Sequence, residues 1–161
     1  MPTAQKSISS EIGVIHLVAS EKGLKSLDWQ ATATPQSIAH APAAAFKILD
    51  QAEKELVEYF KGQRKKFDVA LDLDGTDFQK KVWQQLRKIP YGKTYSYQEL
   101  ARQIQNEKAT RAVGTANGRN RLPIIIPCHR VIAANGTLGG YSGGLDIKIK
   151  LLELEKATFR P

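Results

Sequence analysis

Long apolar runs are missing from this sequence, and cysteine is nearly so. No stretch approaches the roughly 20 apolar residues that a membrane-spanning helix needs. The opening Met1-Pro2-Thr3-Ala4-Gln5-Lys6 leads into polar residues without a signal-peptide core. A soluble intracellular protein is the expectation. With Cys128 as the only cysteine, no internal disulfide can form, which suits a reducing compartment where a thiol stays free.

What is present is a chain of 161 residues, enough to bury a real core in one compact domain or two small ones. Its formal charge of +8 is unevenly placed. Residues 1–74 hold nine Lys/Arg against ten Asp/Glu, and residues 75–161 hold fifteen against six. The second half therefore carries the whole excess. A polyanion such as nucleic acid is the natural partner for such a surface, because binding it releases condensed counterions. A basic surface that serves solubility alone would have the same composition.

Periodicity divides the chain at Asp74-Gly75-Thr76. Before that boundary, Glu11 to Val18 and Leu24 to Trp29 read as strands of a hairpin turning at Glu21-Lys22-Gly23. Ala31 to Pro42 reads as a loop. Phe46, Leu49, Leu56 and Phe60 keep a helical period over Ala43 to Lys61, with Gly62 as a stop. Phe67, Val69, Leu71 and Leu73 alternate like a strand. This half is a small α/β unit without a motif that carries chemistry.

Beyond the boundary, Phe78 to Lys88 is expected as a helix capped by Thr76 or Asp77, with Phe78, Val82 and Leu86 on one side. Ser96-Tyr97-Gln98-Glu99 has the form of a capping box opening a short helix through Ile104. A further helix, about Lys108 to Gly118, carries a small apolar stripe of Ala109, Ala112, Val113 and Ala116, with Lys108, Arg111, Thr115 and Arg119 on the other side. Two short helices with a basic outer face on the second suggest a helix-turn-helix that binds DNA, although solvated helical hairpins share the pattern. Val131 to Leu138 is a candidate hairpin around Asn135-Gly136. Gly139-Gly140-Tyr141-Ser142-Gly143-Gly144 reads as a loop that lets backbone approach a flat ligand. A last helix, about Asp146 to Lys156, is expected to bury Ile147, Leu151 and Leu154.

Cys128 ends the apolar run Leu122-Pro123-Ile124-Ile125-Ile126 and is followed by His129 and Arg130. A lone cysteine is commonly an inert core residue. Basic neighbours change that reading, because they stabilise a thiolate near neutral pH.

The run Ile126-Pro127-Cys128-His129-Arg130-Val131, preceded by Arg111-Ala112-Val113-Gly114 and Asn120 and followed by Tyr141-Ser142-Gly143-Gly144-Leu145, resembles the O6-alkylguanine-DNA alkyltransferases. These are direct-reversal DNA repair proteins, also called methylated-DNA–protein-cysteine methyltransferases. The likeness is detailed over residues 75–161 and general before them. It implies an α+β fold: a ribonuclease-H-like N-terminal α/β domain (1–74) and a helical C-terminal domain (75–161) with a winged helix-turn-helix. That domain would bind the DNA minor groove and flip the damaged base out of the stack.

Carried over by motif, Cys128 would accept the alkyl group from guanine O6. His129 would act through a water as the base, and Glu155 would orient it. Tyr97 would protonate guanine N3, and Arg111 would fill the place of the flipped base. Asn120 would tie the recognition element to the active-site turn. Val131, Tyr141, Ser142 and Gly143 would form the base pocket, and Thr115, Arg119 and Arg121 would contact DNA. Residue 121 is Arg where many members have Pro, which adds charge near the DNA. Some members bind zinc in the N-terminal domain, but that half has only His16 and His40, so no metal is expected.

The resemblance further implies single-turnover action without a cofactor. It implies double-stranded DNA with alkylated bases as partner, no membrane, and a cytoplasmic, nucleoid-associated location, nuclear in a eukaryote. A monomer is expected, with cooperative assembly on DNA left open. Two other functions remain: an alkylated-base binding protein that leaves the alkyl group in place, and a helix-turn-helix regulator whose cysteine is structural.

Overall fold

A computed structural model describes residues 3–30, 42–139, 141 and 143–159. The chain divides into two compact units, Met1–Asp74 and Gly75–Pro161.

In the first unit, β1 (Ala4–Ser10), β2 (Gly13–Ala19) and β3 (Leu24–Asp28) form an antiparallel sheet in that order, with Ile8 opposite Ile15 and Leu17 opposite Leu27. Strand β2 alternates as its sequence suggests: Ile15, Leu17 and Ala19 are buried, while Val14 and His16 face outward. Sequence reading missed β1, which has only Ala4 and Ile8 as apolar residues, and it set the start of β2 at Glu11, which lies in the β1–β2 turn. Helix α1 (Ala43–Phe60) buries Ala45, Leu49, Ala52, Leu56 and Tyr59. Phe46, counted in the apolar period, is exposed.

The predicted strand from Phe67 to Leu73 does not form. Glu55 is buried in α1, and its carboxylate accepts the N–H groups of Asp68 (3.0 Å) and Val69 (3.1 Å), so their donors are taken. Only Leu71 reaches the sheet, in a single bridge to Leu24. Leu24 N–H donates to Ala70 O and Asp72 N–H to Leu24 O. This approach requires glycine at 23, where a Cβ would lie 2.5 Å from the Leu71 carbonyl carbon.

The second unit begins with α2 (Asp77–Leu86). Thr76 caps it, and Gln79 completes the capping box. Its buried face is Val82, Trp83 and Leu86, and the Trp83 indole N–H donates to Ala116 O at 2.8 Å. Strand β4 (Tyr95–Ser96) runs into α3 (Tyr97–Gln103), whose Ser96–Glu99 capping box has both expected bonds. Gln105 turns the chain with φ +61°. A 3₁₀ turn, Glu107–Ala109, then leads into α4 (Thr110–Gly118). The α4 core face is Val113, Ala116 and Asn117. Ala112, assigned to the apolar stripe, is exposed, and Ala109 is half-buried.

The predicted hairpin after the cysteine is a local turn. Ala133 N–H donates to Thr137 O. Val131–Ile132 (β5) pairs instead in parallel with β4, Tyr95 opposite Val131 and Ser96 opposite Ile132. Helix α5 (Leu145–Leu154) buries Lys148, Leu151 and Leu152, leaving Ile147 and Leu154 only half-buried. Leu152 packs with Ile132 and Leu138. Among the described residues no helix is long and apolar enough to cross a membrane.

Because the Leu71 backbone cannot yield as a flexible side chain would, Gly23→Ala is expected to destabilise the protein by roughly 1–3 kcal/mol. Urea unfolding of the variant checks this, and an unchanged midpoint would contradict the close approach.

Candidate active site

The apolar run before the cysteine, Leu122–Ile126, folds as a tight buried turn. Ile126 N–H donates to Leu122 O at 2.8 Å, and Ile124 has φ +77°. For a β-branched residue that conformation is strained by about 1–3 kcal/mol. Asn120, itself buried, binds both sides of the turn: Nδ2 donates to Ile126 O at 2.8 Å and Oδ1 accepts from Leu122 N–H at 2.9 Å. The chain then enters a 3₁₀ turn, Cys128–Arg130, all three residues of which are buried. The β4–β5 pairing sets this turn beside the start of α3, where Tyr97 stands.

Glu155, at the C-terminus of α5, organises the turn from the opposite side. One carboxylate oxygen bonds His129 Nε2 at 2.7 Å and accepts from Arg130 Nη2 at 3.0 Å; the other accepts from Arg130 Nε at 2.8 Å. Arg130 Nη1 donates to Ile89 O at 2.7 Å, and the guanidinium lies over the Tyr91 ring. The sequence placed Arg130 as a cation near the sulfur, but its donors turn to Glu155 and Ile89. Burial pushes the Glu155 carboxyl up, yet the bonds from His129 and Arg130 outweigh it and hold the group at about 2. Burial depresses the His129 imidazole. The Glu155 bond opposes that shift, and the Arg130 and Lys148 charges add to it. His129 Nδ1 is buried without a partner among the described residues.

Burial raises the Cys128 thiol to about 11, opposed by hydrogen bonds from the Asn120 and Tyr141 side chains and by the charge of Lys148. A thiol so placed needs a base to ionise it. Lys148 was missed by sequence reading because a lysine on a helix reads as a solvated residue. Its position three residues before Leu151, on the inward face of α5, was the available signal. Its ammonium donates to Val131 O at 2.8 Å and to Leu138 O.

The remaining candidates fall into two groups, one near the turn and one on an outer face. Burial raises the Tyr97 hydroxyl, and the charge of Cys128 adds to the shift, so the two groups sense each other. A Cβ at Gly139 would lie 2.9 Å from the Tyr97 hydroxyl, so only glycine allows that approach. Val131 is buried, and Tyr141 and Gly143 are half-buried; Ser142 lies outside the described residues. Arg111, Thr115, Arg119 and Arg121 are all exposed. A cavity of about 650 Å³ between the start of α2 and α4 is lined by Gln79, Lys108, Arg111, Thr115 and Arg119, among others. The Thr115 hydroxyl donates to Arg111 O at 3.2 Å within its own helix. This face presents cations in a groove, the arrangement suited to a phosphate backbone.

Residues 77–157 match the model of a family described as 6-O-methylguanine DNA methyltransferase, DNA binding domain, and residues 5–73 match that family's ribonuclease-like domain. The methylated-DNA–protein-cysteine methyltransferase of Methanosarcina acetivorans is 48% identical over 146 residues, covering 91% of this chain and 94% of the relative. That of Mycobacterium tuberculosis is 47% identical over 155 residues, covering 94% and 92%. Among solved structures, that of the M. tuberculosis protein in complex with DNA superposes with a TM-score of 0.84 at 44% identity, covering 97% of this chain and 93% of that one. An O6-methylguanine DNA methyltransferase from Methanococcus jannaschii gives 0.69 at 32% identity, covering 97% and 96%.

The buried pair predicts how stability responds to acid. Glu155 is depressed on folding, so its contribution is complete above its ordinary 4.5 and is lost as pH falls toward about 2. His129 is also depressed, so its loss begins as pH falls below 6.5. Urea unfolding across pH should show Glu155→Gln less stable than wild type at neutral pH by roughly 3–5 kcal/mol. Its loss between those two carboxyl values should be smaller by about 3 kcal/mol. Parallel profiles for the two proteins would contradict the depressed carboxyl.

Proposed function

This chain belongs to the 6-O-methylguanine DNA methyltransferase family, and on that premise we propose that it repairs DNA by moving the alkyl group from guanine O6 to Cys128. Each molecule acts once and no cofactor takes part. The observation that carries the reading is the buried Cys128-His129-Glu155 arrangement around the only thiol of the chain.

The transfer needs a thiolate, and the site supplies the means to form one. Glu155 accepts from His129 Nε2–H, which leaves the Nδ1 lone pair as the acceptor. A buried acceptor of this kind is satisfied by an ordered water, and through such a water His129 takes the Cys128 proton. The sulfur then attacks the alkyl carbon. The S–C bond forms, the C–O6 bond breaks, and the electron pair stays on the purine. Tyr97, next to the sulfur, donates a proton to N3 so that the guanine leaves neutral. A thioether has no easy hydrolytic exit, so the protein is consumed.

DNA is the partner, held by the basic outer face of α4. The target base turns out of the duplex toward Val131, Tyr141 and Gly143, and Arg111 fills the gap it leaves. Asn120 keeps the turn before Cys128 attached to the end of α4, so that the helix on DNA and the sulfur move as one. Thr115, Arg119 and Arg121 contact the duplex around the lesion, so substituting either arginine weakens binding for every sequence and flattens its salt dependence.

Intact-mass measurement after incubation with duplex DNA containing O6-methylguanine should show one methyl gained per molecule, mapped to Cys128, and none in Cys128→Ala. An unmodified wild-type protein after full incubation contradicts the reading.

A further inference from the structure

We propose that Lys148 is a positioning residue of the alkyl-acceptor site: its ammonium clips the Val131 and Leu138 carbonyls together, which sets the pocket wall, and lends positive charge to the Cys128 sulfur as it ionises. The inference rests on the reading of Cys128 as the alkyl acceptor and adds a residue to it.

The geometry begins with burial. Lys148 is fully buried, and an ammonium in that position must have its donors satisfied. Two of them go to Val131 O and Leu138 O, the ends of the segment that turns back at Ala133–Thr137. Val131 N–H in turn donates to Cys128 O, so one end of the clip is fixed to the reacting turn. The other end immediately precedes Gly139, whose backbone sits against the Tyr97 hydroxyl, and the chain continues to Tyr141. One side chain thus holds the sulfur's turn, the segment packed on Tyr97 and the approach to Tyr141 in register.

Charge gives the second part of the role. Glu155 is engaged by His129 and Arg130, so its negative charge is balanced within that group. The titratable groups that the charge of Lys148 reaches are Cys128 and His129, both on the 3₁₀ turn. Burial lowers the Lys148 ammonium to about 8, and the charge of Cys128 raises it. The same charge lowers the thiol. Thiolate and ammonium titrate as a coupled pair, each favouring the charged form of the other, and removing the cation moves thiol ionisation to higher pH.

Because Cys128 is the only cysteine, its reaction with iodoacetamide can be followed by intact mass without DNA. The rate is measured across pH for wild type, Lys148→Met and Lys148→Arg, beside single-turnover methyl transfer from duplex DNA. In Lys148→Met the midpoint of the iodoacetamide profile should rise by about one pH unit, and methyl transfer at neutral pH should slow about tenfold and recover in part as pH rises. Lys148→Arg keeps the charge, so its midpoint should stay near that of wild type while methyl transfer slows because the clip is altered. An unmoved midpoint in folded Lys148→Met overturns the proposal. If that variant does not fold, an upward shift in Lys148→Arg overturns it instead. Wild-type protein that never takes methyl from DNA contradicts the repair reading, and the iodoacetamide midpoints still decide the role of Lys148.

Discussion

Glu155 is 2% exposed, and a carboxylate so far from water is tolerated only when its charge is met by well-placed donors. Three N–H groups meet it, two from Arg130 and one from His129. Both donor residues belong to the 3₁₀ turn that begins at Cys128, so the bonds stabilising the carboxylate also fix the reacting turn against the end of α5. Arg130 extends the hold to the segment after α2 through Ile89 O. The imidazole has no freedom to choose its tautomer: with Nε2 facing the carboxylate, Nδ1 is the only nitrogen left to accept a proton. The same turn carries a thiol that burial raises to about 11.

The rest of the second unit is arranged to bring sequence-distant groups to that turn. The two-residue pairing of β4 with β5 is too short to add much stability, but it places Ser96, the residue that caps α3, opposite Ile132. Tyr97 follows at once, half-buried, with its hydroxyl against Gly139 and within reach of the charge of Cys128. Asn120 stabilises the strained turn at Ile124 and continues from the C-terminus of α4, the helix with the exposed arginines. Strain held by a buried side chain at a reacting residue is the usual signature of a functional turn.

Much of this was legible in sequence where the signal was local. The Ser96–Glu99 capping box and the cap at Thr76, one of two candidates offered there, were readable because their donors and acceptors lie within four residues. The Ile126–Val131 motif drew attention to the turn at Cys128, and its resemblance named the distant Glu155, which bonds His129 there. Signals failed where a tertiary partner decided the outcome. Alternation from Phe67 to Leu73 suggested a strand, but Glu55 takes two of the N–H groups a ladder would need. The Leu122–Ile126 run carried no signal of its conformation, and Asn120 closes it as a turn. Lys148 was passed over because charge predicts exposure, and its two carbonyl acceptors lie 10 and 17 residues away in sequence. Arg130 was placed near the sulfur by adjacency alone, and a neighbouring carboxylate drew it elsewhere.

The central claim is that Glu155 holds His129 with its proton on Nε2 and leaves Nδ1 free to take one. Nitrogen NMR of ¹⁵N-histidine-labelled protein at neutral pH reads this directly, with His129 assigned by comparison with His129→Gln. A neutral ring protonated at Nε2 is expected in wild type, with loss of that fixed tautomer in Glu155→Gln. A His129 ring protonated at Nδ1 would contradict it, as would a tautomer that Glu155→Gln leaves unchanged.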